Sequence, residues 1–186
     1  MDKDLQEYVK HNLIKQLQEI KSSKQHITIE ELNEFEKSII YYYSEDGFES
    51  LNEKLRDGEK IPELGKHLNN CLSKLPDYKL LCYRSIHCSN YELKRYYDAF
   101  VNNSIIVEKS FLSCSKSRLI ALSFSNTPLF IIKSKKGKEI EKIAKFGIES
   151  GQNEKEILFM SGSKFKVLNF EEDDKDKTIR ITLEEI

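Results

Sequence analysis

Asn153-Glu154-Lys155-Glu156-Ile157-Leu158-Phe159 sets two carboxylates, two residues apart, at the mouth of an apolar run. If the run is a strand, its period of 2 puts Glu154 and Glu156 on the same side of the backbone. Just upstream, Phe146-Gly147-Ile148-Glu149-Ser150-Gly151-Gln152 carries two of the chain's seven glycines and is expected to be a flexible loop. A loop that delivers paired acids onto a strand edge suits chemistry. The same alternation also describes an ordinary half-exposed strand, whose acids form a solvated edge that discourages aggregation.

Around this stretch the signals are extended. Residues 104–113, 128–134 and 156–160 read as strands, and 164–170 with 178–184 as a hairpin across the acidic turn Glu171–Asp176. Lys79-Leu80-Leu81-Cys82-Tyr83-Arg84 is a further strand candidate. A short helical pattern, Arg118 to Phe124, interrupts them, and Ser89-Asn90-Tyr91-Glu92 has capping-box form, opening a helix through about Val101.

The first 75 residues follow a different pattern. Leu5, Tyr8, Val9, Leu13, Leu17 and Ile20 recur at helical spacing over 2–21. Thr28-Ile29-Glu30-Glu31 reads as a capping box for a second helix through Tyr43. A short helix around Phe48–Leu55 ends near Gly58, and Pro62 starts a fourth that carries Leu64, Leu68, Cys71, Leu72 and Leu75. Pro76-Asp77 then makes a turn. Helices first and strands after imply an α+β fold.

With 39% hydrophobic and 33% charged residues, the 186-residue chain falls in the polar globular class, long enough for one continuous core. A net charge of −1 excludes a global pull toward nucleic acid or acidic membranes. The local exception is Lys133 to Lys145, with six lysines against two glutamates, read as a solvated hairpin that could steer an anion. Cys71, Cys82, Cys88 and Cys114 have neither CxxC pairing nor zinc spacing, so free thiols are expected. His67 is expected at a helix surface, and His87 beside Cys88 points away from it on a strand. There is no apolar span of about 20 residues and no signal-peptide start, so the expected place of work is the cytoplasm, or a target cell's cytosol reached without a cleavable signal.

Three short motifs stand out: Tyr83-Arg84 ending one strand, Phe111-Leu112-Ser113-Cys114-Ser115 ending another, and Glu154-Lys155-Glu156. In this order they resemble the R-S-E class of mono-ADP-ribosyltransferases, which includes actin- and Rho-modifying bacterial toxins and the arginine-specific ectoenzymes of vertebrates. Leu75-Pro76-Asp77-Tyr78-Lys79 is similar to the family's approach to its Arg strand. Glu156-Ile157-Leu158-Phe159, a small-residue turn and Lys164-Phe165-Lys166-Val167 are similar to its catalytic strand and hairpin. The resemblance covers about Ile29 to Ile186.

It implies a single ADP-ribosyltransferase domain over 1–186, with residues 1–27 readable as an appendage, and two roughly perpendicular antiparallel or mixed sheets forming an NAD cleft. Arg84 would grip the NAD pyrophosphate through its bidentate fork. Glu156 would hold a ribose hydroxyl and stabilise the oxocarbenium-like cation that forms as nicotinamide leaves. Ser113 would fix the rotamer of Glu156. Tyr83 and Ser115 would complete the NAD site. Phe124, eleven residues after Ser113, would stack on nicotinamide, worth about 0.5–2 kcal/mol. Glu154 would orient the acceptor, and a carboxylate there matches a guanidinium, so arginine on a cytosolic protein is expected. The chemistry asks for no metal. Expected partners are NAD, the macromolecular acceptor and, for a toxin or effector, an inhibitor or immunity protein.

Two positions depart from the family pattern. Cys114 stands in the middle of the Ser motif, and Gly151 stands where several protein-modifying members place an aromatic. Taken singly, each residue also has an ordinary explanation: Arg84 a surface strand residue, Ser113 and Ser115 solvent-facing or capping groups, Phe124 a core residue. Three other functions share these motifs: modification of a nucleic-acid base, NAD glycohydrolysis, and an inactive NAD-binding or interaction module.

Overall fold

The computed structural model describes residues 2–173, 175 and 177–186. Its elements are helices α1 (Lys3–Asn12), α2 (Ile14–Ser22), α3 (Glu34–Tyr42), α4 (Phe48–Arg56), α5 (Glu63–Ser73), α6 (Asn90–Val101) and α7 (Arg118–Phe124). The strands are β1 (Asp77–Tyr78), β2 (Leu81–Ser85), β3 (Ile105–Glu108), β4 (Leu112–Ser115), β5 (Leu129–Lys133), β6 (Gly137–Glu139), β7 (Glu156–Phe159), β8 (Ser163–Glu172) and β9 (Ile179–Glu185). Two compact units share them: Met1–Pro76 with Lys138–Glu156, and Asp77–Gly137 with Ile157–Ile186.

The first unit is helical. The expected helix over 2–21 is two helices that meet at Leu13, whose φ of −130° and ψ of 32° leave the helical region. The Asn12 side chain donates to the Tyr8 carbonyl just there, competing with the backbone ladder. Leu5, Val9, Leu13, Leu17 and Ile20 are buried nonetheless, and α1 and α2 both pack on α3. The capping box of α3 is Asn33 with Glu36, not Thr28 with Glu31. Ile29 has a φ of 55°, which no helix accommodates, so the chain turns before Asn33 begins the helix. A π-helical turn over Tyr43–Gly47 joins α3 to α4.

His67 is buried rather than at the surface, because Leu64, His67, Leu68 and Cys71 share one face of α5. The later segment is fastened to the same unit. The Gln25 side chain donates to the Ile143 and Ala144 carbonyls, Lys138 donates to the Leu75 carbonyl, and Lys145 pairs with Glu19 and Glu45. The lysine run is therefore only partly solvated: Lys138 is buried and Lys145 is ion-paired.

The second unit carries most of the sheet. Its buried centre is Cys82, Phe130, Ile132, Ile157, Phe159, Phe165, Ile181 and Leu183, each large side chain contributing about 1.5–3 kcal/mol on burial. The strands are hydrogen-bonded in the single order β1-β6-β7-β4-β2-β5-β9-β8-β3, one nine-stranded sheet where two were expected. The link is β2, which pairs with β5 over five positions from Leu81↔Lys133 to Ser85↔Leu129, and with β4 at Tyr83↔Ser115. Only β5 with β9 is parallel among the pairs whose register is described, so the sheet is mixed.

The hairpin of β8 and β9 forms as expected, with a bulge between Val167 and Asn169. The acidic turn Glu171–Asp176 lies in part, at 174 and 176, outside the described residues. Asp77, expected in a turn, is strand β1, and β6 arises within the lysine run, where its charges hide an extended segment. No helix among the described residues is long and apolar enough to cross a membrane.

Candidate active site

Arg84 lies on β2 opposite Phe130 of β5. Its Nη1 donates to the Ser113 carbonyl on β4 at 2.6 Å. Its Nε is buried with no partner, and no carboxylate pairs with the guanidinium among the described residues. A buried donor without an acceptor costs about 1–3 kcal/mol. The group is thus a cation held by one carbonyl, with its buried Nε left unsatisfied.

Ser113 meets Arg84 through its main-chain oxygen, leaving its half-buried hydroxyl out of that contact. Ser115 is buried, and its hydroxyl accepts from the Ser117 N–H. Ser117 in turn caps α7 by accepting from the Ile120 N–H. The Ser motif therefore also sets where α7 begins. Tyr83, half-buried, sits opposite both Ser115 and Ile131. Phe124, the last residue of α7, is 62% exposed. Its ring is not core, and α7 packs on β2, the strand of Arg84.

The acids belong to the first unit. Glu156 opens β7 and is buried, its carbonyl accepting from the Ile140 N–H. Glu154 precedes the strand, half-buried, and its N–H donates to the Phe146 carbonyl. The period-2 relation expected between them does not apply. Lys155 has a φ of 52°, and its N–H donates to the Asn153 side chain at 2.8 Å. That Asx turn fixes the phase of the two carboxylates in place of a strand pleat. Burial pushes the Glu154 carboxyl above its ordinary range.

The loop before them is a chain of hydrogen-bonded turns rather than a free loop: Ile148 to Glu141, Gly147 to Ala144, Ser150 to Gly147. At Gly147 an added Cβ would lie 1.9 Å from the Glu141 carbonyl oxygen, so only glycine fits. At Gly151 it would meet nothing within 4 Å. The first constraint is invisible in sequence, because the clash comes from a residue six positions away through a turn.

Residues 15–186 match the family model described as ADP-ribosyltransferase exoenzyme. A Mycobacterium avium (strain 104) protein, Mav, named for NAD(+)–arginine ADP-ribosyltransferase activity, is 28% identical over 152 residues, which is 79% of this chain. The chain spans about a sixth of that relative, 17% of its length. Exoenzyme S of Pseudomonas aeruginosa, solved with human 14-3-3 protein beta and carba-NAD, aligns with a TM-score of 0.78 at 16% identity, covering 98% of this chain and 86% of that one. HopU1 of Pseudomonas syringae pv. tomato aligns with a TM-score of 0.76 at 20% identity, covering 91% and 85%.

Proposed function

The chain belongs to the ADP-ribosyltransferase exoenzyme family, and from that membership we propose that it transfers ADP-ribose from NAD to an arginine side chain of a protein, releasing nicotinamide. What supports this most is Arg84, a guanidinium anchored by one carbonyl and, among the described residues, paired with no carboxylate, its Nε buried without a partner. Such a group suits a pyrophosphate.

NAD would enter where β2 and β4 part beyond their pairing at Tyr83↔Ser115, a junction that would divide the sheet into the two walls of a cleft. Arg84 takes the pyrophosphate, with Tyr83 and Ser115 alongside. Phe124, exposed at the end of α7, stacks on the nicotinamide ring. The bond from ribose C1′ to the nicotinamide nitrogen breaks, its electron pair leaving with nicotinamide. Glu156 stabilises the cation left on the ribose, with Ser113 holding its carboxylate. An arginine nitrogen then bonds to C1′, and Glu154 orients the guanidinium and receives its proton. The Mav relative, named for NAD(+)–arginine transfer, favours the same acceptor. The acceptor is met in a cytosol, the chain's own or that of a target cell.

The test is to incubate the protein with labelled NAD and a cell lysate, then digest with protease or nuclease. Label should appear in protein and be released by protease. Label that survives protease and yields to nuclease would sink the protein acceptor, and free ADP-ribose as sole product would mark a glycohydrolase. Glu156→Gln should abolish nicotinamide release, whereas Glu154→Ala should lose arginine transfer and keep some NAD hydrolysis. Equal loss of both activities in both variants refutes that division of labour.

A further inference from the structure

In the helical unit, three side chains from two separate helices converge, none of them given a role above. Asp4 lies in the first turn of α1, and Glu63 and His67 lie one turn apart on α5. The His67 Nε2 stands 3.8 Å from the Asp4 Oδ2 and 3.8 Å from the Glu63 Oε1. One ligand atom from each of the three lies within 4.8 Å of the others. Both carboxylates are exposed, but the histidine is 4% exposed and neither ring nitrogen has a hydrogen-bond partner. Its ring lies against Tyr8, with centroids 5.2 Å apart.

We propose that Asp4, Glu63 and His67 form a binding site for a divalent first-row transition-metal ion that pins α1 to α5. A buried imidazole nitrogen lacking a partner needs an explanation, because buried polar atoms are almost always satisfied. The 3.8 Å separations are too long for an N–H···O bond. They are close to the spacing of ligands sharing an ion, about 3.4 Å for a tetrahedral shell with bonds of about 2.1 Å. Closing the difference takes only small rotations of two exposed carboxylates.

Glu63 and His67, four apart, share a helix face, so α5 presents a preformed pair and α1 supplies the third ligand. One imidazole with two carboxylates suits Zn²⁺ or Co²⁺ better than Mg²⁺ or Ca²⁺, which prefer oxygen alone. The open side toward solvent leaves room for water to complete the shell.

The test uses the full chain, free of any histidine tag and stripped of metal. Co²⁺ is titrated by its visible absorption, Zn²⁺ by calorimetry, and Mg²⁺ serves as the hard-ion control. One equivalent of Co²⁺ or Zn²⁺ should bind and Mg²⁺ should not. Affinity should fall by at least about tenfold in Asp4→Asn and in Glu63→Gln, variants of exposed residues that leave the core intact. Zn²⁺ should slow amide exchange across residues 3–12 in the parent chain and in neither variant. Absence of Co²⁺ and Zn²⁺ binding, or undiminished binding in either variant, overturns the proposal.

Discussion

Among the described residues Arg84 is held by one bond from Nη1 to a main-chain oxygen, which fixes the guanidinium plane beside β4. Arg84→Lys keeps the charge and loses the fork. We expect the KM for NAD to rise about ten- to a hundredfold, as when one or two charge-assisted hydrogen bonds are lost, read from initial rates of nicotinamide release. An unchanged KM would remove Arg84 from the pyrophosphate. Glu154 differs from the usual carboxylate because burial raises its proton affinity in the folded chain. The folded state then binds the proton more tightly than the unfolded, so stability is favoured below the unfolded value of about 4.5 and declines as pH rises through the folded one. Glu154→Gln should therefore make the protein more stable at neutral pH while abolishing arginine transfer. In the parent chain the acidic limb of kcat/KM for an arginine acceptor should lie at higher pH than an ordinary glutamate gives. Chemical denaturation at pH 5 and 7, with a pH–rate profile, checks both. That Arg84, Ser113 and the two acids are the candidates was legible from their order alone. The left-handed Lys155 between the acids was not, because nothing in a Glu-Lys-Glu triplet distinguishes a pleated strand from an Asx turn.

Among the elements, those closed by local chemistry were the easiest to read. Ser89 and Glu92 cap α6 as their spacing implies, and its end at Val101 follows. Asn33 and Glu36 cap α3 by the same rule, yet Thr28-Ile29-Glu30-Glu31 shows the same pattern five residues earlier. Only the positive φ of Ile29 decides between them. Strand β6 escaped notice because its pairing is non-local and its residues, Gly137 to Glu139, have weak strand preference. The segment from Ile140 to Glu154 depends on a close approach at Gly147. Gly147→Ala should cost about 2–3 kcal/mol, as overpacking does, and should impair transfer beyond what the loss of folded protein explains. Gly151→Ala, in open space, should do neither. Equal thermal stability of the two variants would show that the turn network is not what holds the acids.

Across the whole molecule, each unit buries its own thiols. Cys71 belongs to the helical unit and Cys82, Cys88 and Cys114 to the other, all free and all buried. Burial pushes Cys71 up to about 12 and Cys88 up to about 11, and a hydrogen bond with Cys114 raises Cys82 first, then burial. A thiol reagent at neutral pH should label none of the four quickly in the native protein and all four in denaturant; rapid native labelling would contradict the packing. The α+β class and most of the longer strands were readable from helical and extended periods, though the expected strand over 104–113 is two, β3 and β4; the joining of nine strands through β2 was not readable, since period reports a strand's faces and not its neighbours. The helical unit is also discontinuous in the chain, made of Met1–Pro76 and Lys138–Glu156. On a ribosome, its first 76 residues emerge long before the segment that supplies Ile140 and Ile143, both fully buried. Residues 1–76 made alone should thus show helical circular dichroism without a cooperative melt, whereas a sharp transition would mean the later segment is dispensable. The nascent helical unit would stay open until synthesis reaches Glu156, so that its completion and the arrival of the proposed catalytic acid are the same event.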